Sequence, residues 1–334
     1  MVDTNIRNIE KIEDKMLKRI SIVFILLFLV VNCSRGTPDL KNNPYPPFDT
    51  PNGNIRLIFS VTADVHYFYG DNVNWFRHVC ERIEIGGRGD FMISPGDMDP
   101  LEDVFDTIQI YIGQDYIWYP VIGNHETDIE PGETESQDMI WLRNYNVNGN
   151  TLPNIVNPGP PGCIETTYSF DYGDVHFVVL NEYCDGITDT DANGDITDSL
   201  YNWLIDDLTR NAKPVVLVFG HEPAYPQPDE ESGRIRHLND SLDKYPDHRD
   251  RFWNTLVTYG VKAYICGHTH NYSSVNINGV WQIDAGHARG TGDQGARSNF
   301  IMFYVMEDGV IWYYTYRLNL ENNKYELSST RQID

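Results

Sequence analysis

Positive charge is scarce in this chain. Its 334 residues carry 25 Lys and Arg against 49 Asp and Glu, a formal charge of −24 at pH 7. A surface with that balance repels nucleic-acid backbones and anionic membrane faces at long range. No nucleic-acid substrate or partner is therefore expected. An apolar run long enough to span a bilayer is also missing. Ile20–Val31 (ISIVFILLFLVV) has 12 residues, short of the roughly 20 that cross a membrane but suited to the centre of a signal peptide. Lys18 and Arg19 supply its positive flank, and MLKRISIVFILLFLVVNC is a complete signal by itself, so Met16 is a candidate start.

Cysteine is sparse too, with five in all. Val30-Val31-Asn32-Cys33 resembles a relaxed bacterial lipoprotein box with Cys33 as the lipidated residue. Asn32 departs from the small residue usual before that cysteine, which leaves a cleaved signal (a secreted protein) or an uncleaved anchor as alternatives. Residues 1–33 are read as a targeting segment, the location as extracytoplasmic, and membrane contact as confined to that segment. Export permits disulfides. Cys163 and Cys184 flank a hairpin expected to turn at Asp171–Asp174, so a bridge between them is weighed against unpaired burial. Cys80 and Cys266 are expected as buried free thiols.

What is abundant points to a folded protein. Apolar residues make up 41% and aromatics 13%, enough for a sizeable core. Residues 34–53 are Pro-rich and polar, the composition of an extended linker. From 54 to 334 there is neither an internal repeat nor a composition break, so one domain is expected. Its recurring unit is a short apolar or β-branched run, then a polar turn, then a helix or loop. The runs are Ile55–Thr62, Phe91–Ser94, Ile117–Ile122, Tyr168–Phe170, His176–Leu180, Pro214–Phe219, Ala263–Cys266, Val280–Ile283, Phe300–Met306 and Val310–Tyr316. Helices are expected at Trp75–Glu84, Leu200–Arg210 and Arg249–Tyr259. Helical crossovers early and hairpins late predict an α/β fold of mixed sheets covered by helices.

Five of the runs end in polar clusters: Asp64-Val65-His66, Gly96-Asp97-Met98-Asp99, Gly123-Asn124-His125-Glu126, Gly220-His221-Glu222 and Gly267-His268-Thr269-His270. The carboxyl ends of strands in an open α/β sheet converge on one crevice, so these groups can meet although the chain separates them. Any one His is more often structural than a ligand, but five of the chain's ten histidines fall in these clusters. Carboxylate, amide and imidazole without thiolate suit Mn, Fe or Zn and argue against a zinc finger. The donors are too many for one ion. Two ions about 3.5 to 4 Å apart can bind a bridging hydroxide and stabilise the attacking and leaving oxygens of an in-line displacement.

The order D-x-H, G-D, G-N-H-E, G-H, G-H-T-H resembles the calcineurin-like metallophosphoesterase family, from about Ile55 to Ile283. That resemblance implies two packed mixed β-sheets flanked by helices, a four-layer sandwich. It implies Asp64, His66, Asp97 and His270 around one metal, Asp97, Asn124, His221 and His268 around a second, and Asp97 as the bridge. His125 would not coordinate; it would stabilise phosphoryl charge or assist the leaving group. The implied activity is hydrolysis of phosphate monoesters or diesters, with a small or surface-attached ester as substrate. Purple acid phosphatases carry a metal-binding Tyr three residues after the Gly-Asp aspartate, where this chain has Pro100, so a colourless protein is expected.

Three weaker signals accompany the set. Asp189, Asp191, Asn193, Asp195 and Asp198 resemble the start of an EF-hand calcium loop, but Leu200 stands where the closing Glu belongs, so calcium binding competes with a plain acidic loop. Arg236 and His237, between two of the clusters, are candidates for gripping a phosphate oxygen, and His287 for approaching the same crevice. Residues 127–166 form a long stretch beside the site of the kind that shapes substrate access. The rival reading of the whole is a catalytically silent, surface-displayed binding protein on the same scaffold, with calcium as a candidate requirement.

Overall fold

The computed structural model describes residues 45–333. The stretch read as a targeting segment, with Cys33, and the first part of the stretch read as linker lie outside the described residues, and the fold is that of the unit from Pro47 onward. In chain order its first elements are β1 (Ile55–Val61), α1 (Asn72–Gly87), β2 (Phe91–Pro95), α2 (Leu101–Tyr111), β3 (Ile117–Val121) and α3 (Gln137–Tyr145). Next come β4 (Ile155–Pro158), β5 (Tyr168–Tyr172), β6 (Val175–Val179), α4 (Asp198–Arg210), β7 (Val215–Phe219), α5 (Pro246–Thr258) and β8 (Ala263–Cys266). The remainder is β9 (Tyr272–Ile277), β10 (Val280–Ala285), β11 (Asn299–Met306), β12 (Ile311–Asn319) and β13 (Lys324–Ile333).

These strands make two mixed sheets, ordered β13-β12-β11-β1-β2-β3 and β4-β5-β6-β7-β8-β10-β9. β1, β2 and β3 run parallel, as do β6, β7, β8 and β10. In β7, Val215, Leu217 and Phe219 enter the core between the sheets, while Val216 and Val218 enter the core under α4 and α5. Because both faces are covered, such a strand reads as a continuous apolar run. Phe59 of β1 stacks on Phe303 at 4.8 Å and meets Phe177 of the other sheet edge-on at 5.4 Å. Burying one such ring contributes about 1.5–3 kcal/mol.

The outer layers follow from helical periodicity. In α1, Phe76, Val79 and Ile83 face the first sheet. In α4, Leu200, Trp203, Leu204 and Leu208 face the second, and the helix starts where Thr197 Oγ1 accepts the N–H of Leu200 at 3.3 Å. The result is the four-layer sandwich of two mixed sheets flanked by helices.

Some boundaries differ from expectation. Phe48, inside the stretch read as linker, is buried with its ring 4.5 Å from that of Tyr316 and the Arg82 guanidinium 4.1 Å away. The fold therefore begins before residue 54. The long stretch 127–166 contains α3 and β4. Cys163 and Cys184 are joined in a disulfide, and Cys80 and Cys266 are free and buried.

Candidate metal centre

All five polar clusters sit where parallel strands end. β1 leads into Asp64 and His66, β2 into Asp97, β3 into Asn124 and His125, β7 into His221, and β8 into His268 and His270. The backbone bends sharply there. Asp64 (φ 51°), His66 (45°), Asp97 (53°), His268 (70°) and His270 (57°) are all left-handed, a conformation that costs a non-glycine residue on the order of 1 kcal/mol or more. Five of the seven expected ligands thus sit in strained backbone conformations. Gly123 has a separate reason: a Cβ there would collide with Asp97 Oδ1.

The side chains form two groups that meet at Asp97. In the first, donor atoms of Asp64, His66, Asp97 and His270 all lie within 4.8 Å of one another. His66 Nε2 is 3.4 Å from His270 Nε2 and 3.7 Å from Asp97 Oδ2, and His270 Nε2 is 3.5 Å from Asp64 Oδ1. Asp97, His221 and His268 make up the second. His221 Nε2 is 3.4 Å from Asp97 Oδ1, 3.3 Å from Asn124 Oδ1 and 3.2 Å from His268 Nδ1.

Each imidazole is oriented by an oxygen on its far side. His66 Nδ1 is 3.0 Å from Asp99 Oδ1, His270 Nδ1 is 3.1 Å from Asp293 Oδ2, His221 Nδ1 is 2.8 Å from the Pro95 carbonyl, and His268 Nε2 is 3.2 Å from the Asp240 carbonyl. A ring nitrogen donating to those oxygens leaves the other nitrogen's lone pair aimed into the cluster, the arrangement found around metal-ligating histidines. The donor set therefore fits two cations.

Electrostatics agree. Burial pushes the Asp64 carboxyl well above the carboxylate range, and the charges of Asp97 and Asp284 add to it while His221 opposes. Asp97 is also buried, yet His221, His66 and His125 draw it well below that range. Burial weakens proton binding at His221, but Asp97 and Asp64 outweigh it and raise its pKa well above 6.5. A positive charge is thus favoured at this point, and metal binding there would compete with that proton.

Glutamates lock the loops. Glu126 accepts the N–H groups of Asp97 (3.0 Å), Met98 (2.6 Å) and Gly123 (2.7 Å). Glu182 accepts those of His221 (3.0 Å) and Glu222 (2.6 Å), and burial with the charge of Glu222 pushes its carboxyl up to about 7. Glu126 stands in the Gly-Asn-His-Glu motif, but its service to the backbone of a different loop has no sequence signal; Glu182 and Asp293 have none at all.

His125 lies at the mouth. Its side chain is one-third exposed, its ring centre is 4.4 Å from that of His66, and its Nδ1 is 3.6 Å from Asp128 Oδ2. Arg236 and Arg289 stand beside His270 and pair with Asp293 Oδ2, the oxygen that faces His270 Nδ1. His237 lies tilted against His268, ring centres 4.1 Å apart. His287 is brought close but not open: it is fully buried behind His270, with Nε2 3.1 Å from the Ala296 carbonyl, so it cannot touch a substrate. The EF-hand-like residues are not brought together as a cage. Asp189 pairs with Arg143, Asp195 with His248 and Asp198 with Arg251, and no candidate cation cluster among the described residues includes them or Asp191. Their cations come from the protein itself.

Two facing sheets with polar loops gathered at the ends of their parallel strands define a metallophosphoesterase-like fold. Residues 58–272 match the family model described as calcineurin-like phosphoesterase (Metallophos), and the chain belongs to that family. Purple acid phosphatase 22 of Arabidopsis thaliana is 25% identical over 244 residues, which cover 69% of this chain and 48% of that protein. An acid phosphatase of Aspergillus ficuum is 28% identical over 187 residues, 44% of this chain and 27% of that protein. The chain thus spans less than half the length of either. Among solved structures, GAP50, the anchor in the inner membrane complex of Plasmodium, has a TM-score of 0.51 at 14% identity and covers 84% of this chain and 89% of its own. PhoD has a TM-score of 0.51 at 13% identity, covering 85% and 73%. At such identities the likeness concerns the fold alone.

Proposed function

We propose that this protein hydrolyses phosphate esters, monoesters or diesters, using two bound transition-metal ions drawn from Mn, Fe and Zn. The observation that carries this reading is Asp97, whose Oδ2 faces His66 at 3.7 Å and whose Oδ1 faces His221 at 3.4 Å. One carboxylate turned to both groups is what a shared ligand requires. Asp64, His66, Asp97 and His270 would hold one ion, and Asp97, Asn124, His221 and His268 the other. Together such ions supply Lewis acidity at phosphorus and an activated nucleophile.

The chain's own residues do the rest. His125, one-third exposed and grouped with His66 and Asp99 at the edge of the cluster, is placed to pass a proton to the leaving oxygen or to hydrogen-bond a phosphoryl oxygen. Arg236, partly exposed beside His270, is placed to grip and orient a phosphoryl oxygen. The acidic surface turns the specificity towards small or surface-attached esters rather than nucleic acid. The disulfide supports an extracytoplasmic location, with attachment through a lipid on Cys33 or through the signal segment. Release of p-nitrophenol from p-nitrophenyl phosphate or its bis ester tests the activity. With added Mn²⁺ the protein should turn over at least one of them and lose that activity on chelation; no turnover of either with a full complement of metal would favour the silent binding scaffold.

A further inference from the structure

We infer that the alcohol side of the substrate carries an alkylammonium group, received by Phe68, Tyr69 and the carboxylates beside His125. This rests on the proposed phosphoesterase activity and names its substrate class. A cavity of about 500 Å³ opens at His125, walled by Phe68 and Tyr69 and lined by the carboxylates of Asp99, Asp128, Glu130 and Asp138. Among the described residues, no lysine or arginine lines it. The arginines of the site stand elsewhere: Arg236 and Arg289 stand beside His270, and with Arg234 they converge on Asp293. The centre is therefore polarised, with cationic groups at His270 and anionic groups at His125. If His125 serves the leaving oxygen, the leaving alcohol extends into the anionic cavity.

That geometry sorts leaving groups by charge. A second anionic group, as on a nucleotide or sugar bisphosphate, would be repelled by Asp128 and Glu130, and by Asp99 and Asp138, which are engaged with His66 and the Leu101 N–H. A neutral alkyl group would gain the rings and nothing from the carboxylates. An ammonium or trimethylammonium group gains both, since aromatic faces attract cations and the carboxylates neutralise them. The rings are left available: Phe68 is 65% and Tyr69 62% exposed. Their loop is nonetheless held. Asn72 Nδ2 donates to the carbonyls of Val65 at 2.9 Å and His66 at 2.8 Å, and the Tyr69 ring stands edge-on to the His66 ring at 6.0 Å. The two rings thus lie on the same short segment as Asp64 and His66.

The test compares choline phosphate with its uncharged isostere, 3,3-dimethylbutyl phosphate, using Mn²⁺-loaded protein and p-nitrophenyl phosphate as reference. The proposal expects kcat/KM for choline phosphate to exceed that of the isostere by about tenfold or more. In the double variant Glu130→Gln, Phe68→Ala, both positions being outside the metal cluster, that ratio should fall towards one. A ratio near one in the wild type, or a ratio unchanged in the variant, with p-nitrophenyl phosphate still hydrolysed, would overturn the subsite and leave the phosphoesterase reading standing. Failure to hydrolyse any of the three would overturn the subsite, and failure on bis(p-nitrophenyl) phosphate as well would remove the phosphoesterase reading with it.

Discussion

Asp293 Oδ2 lies 3.1 Å from His270 Nδ1, on the opposite side of the ring from the Asp64 carboxylate that His270 Nε2 approaches at 3.5 Å. Burial pushes the His270 pKa down to about 2, with the charges of Arg289 and Arg236 adding to it against the hydrogen bond that Asp293 accepts. The shift favours the neutral imidazole, the form that binds metal. Asp293→Asn should keep the fold but lower affinity for the ion at His270 by about 10- to 100-fold, as losses of such oriented partners do. Titration with Mn²⁺ followed by isothermal calorimetry checks this, and equal affinity in variant and wild type would show that Asp293 serves only the arginines.

His125→Ala separates chemistry from binding. His125 is absent from both groups that share Asp97, so metal content should stay at the wild-type level while kcat for a phosphate ester falls by about 10²- to 10⁴-fold. Loss of metal in that variant would make His125 a ligand instead.

Pro100 predicts an optical result. With no tyrosine at this position, the iron-loaded protein should lack a strong visible phenolate-to-metal band. Its appearance in an absorption scan would mean that a different tyrosine coordinates and that the ligand assignment is wrong.

Away from the site, His176 is held between Asp171 and Asp207, each at 2.8 Å. Burial lowers its pKa, but both carboxylates outweigh that and raise it above 6.5. A folded-state pKa above the unfolded value gives stability that is complete below about 6.5 and is lost as pH rises through the folded value. Urea unfolding of wild type and His176→Gln should therefore show the widest gap near pH 5.5, narrowing above neutrality. A gap constant from pH 5.5 to 9 would mean that packing, not charge, is what His176 supplies.

A feature is legible in the sequence when it depends on neighbours in the chain. The buried parallel strands stand out as apolar runs, and their polar ends as ligand clusters. β9 has a signal that the pattern of runs passes over: Asn278-Gly279, both with positive φ, marks a two-residue hairpin turn into β10. β13 is not legible, because KYELSSTRQI alternates without a strong apolar face and is exposed along much of its length. Asp293 lies in a Gly-rich loop whose approach to His270 is a tertiary event. The acidic run at Asp189 misleads in the opposite way: its spacing fits an ion-binding loop, but Arg143, His248 and Arg251 arrive from distant helices to take up the charge. The strain at Asp64, His66, Asp97, His268 and His270 is likewise invisible, since nothing in a non-glycine residue announces a left-handed conformation.

The proposed chemistry depends above all on Asp97 joining two metal sites. Elemental analysis of the wild type and Asp97→Ala, each purified with excess Mn²⁺ and then freed of loose metal, puts that to the test. Two ions per chain in the wild type and fewer than one in the variant, with circular dichroism unchanged, is the expected outcome. A single ion per chain in the wild type, or retention of both ions without Asp97, would show that Asp97 is no bridge.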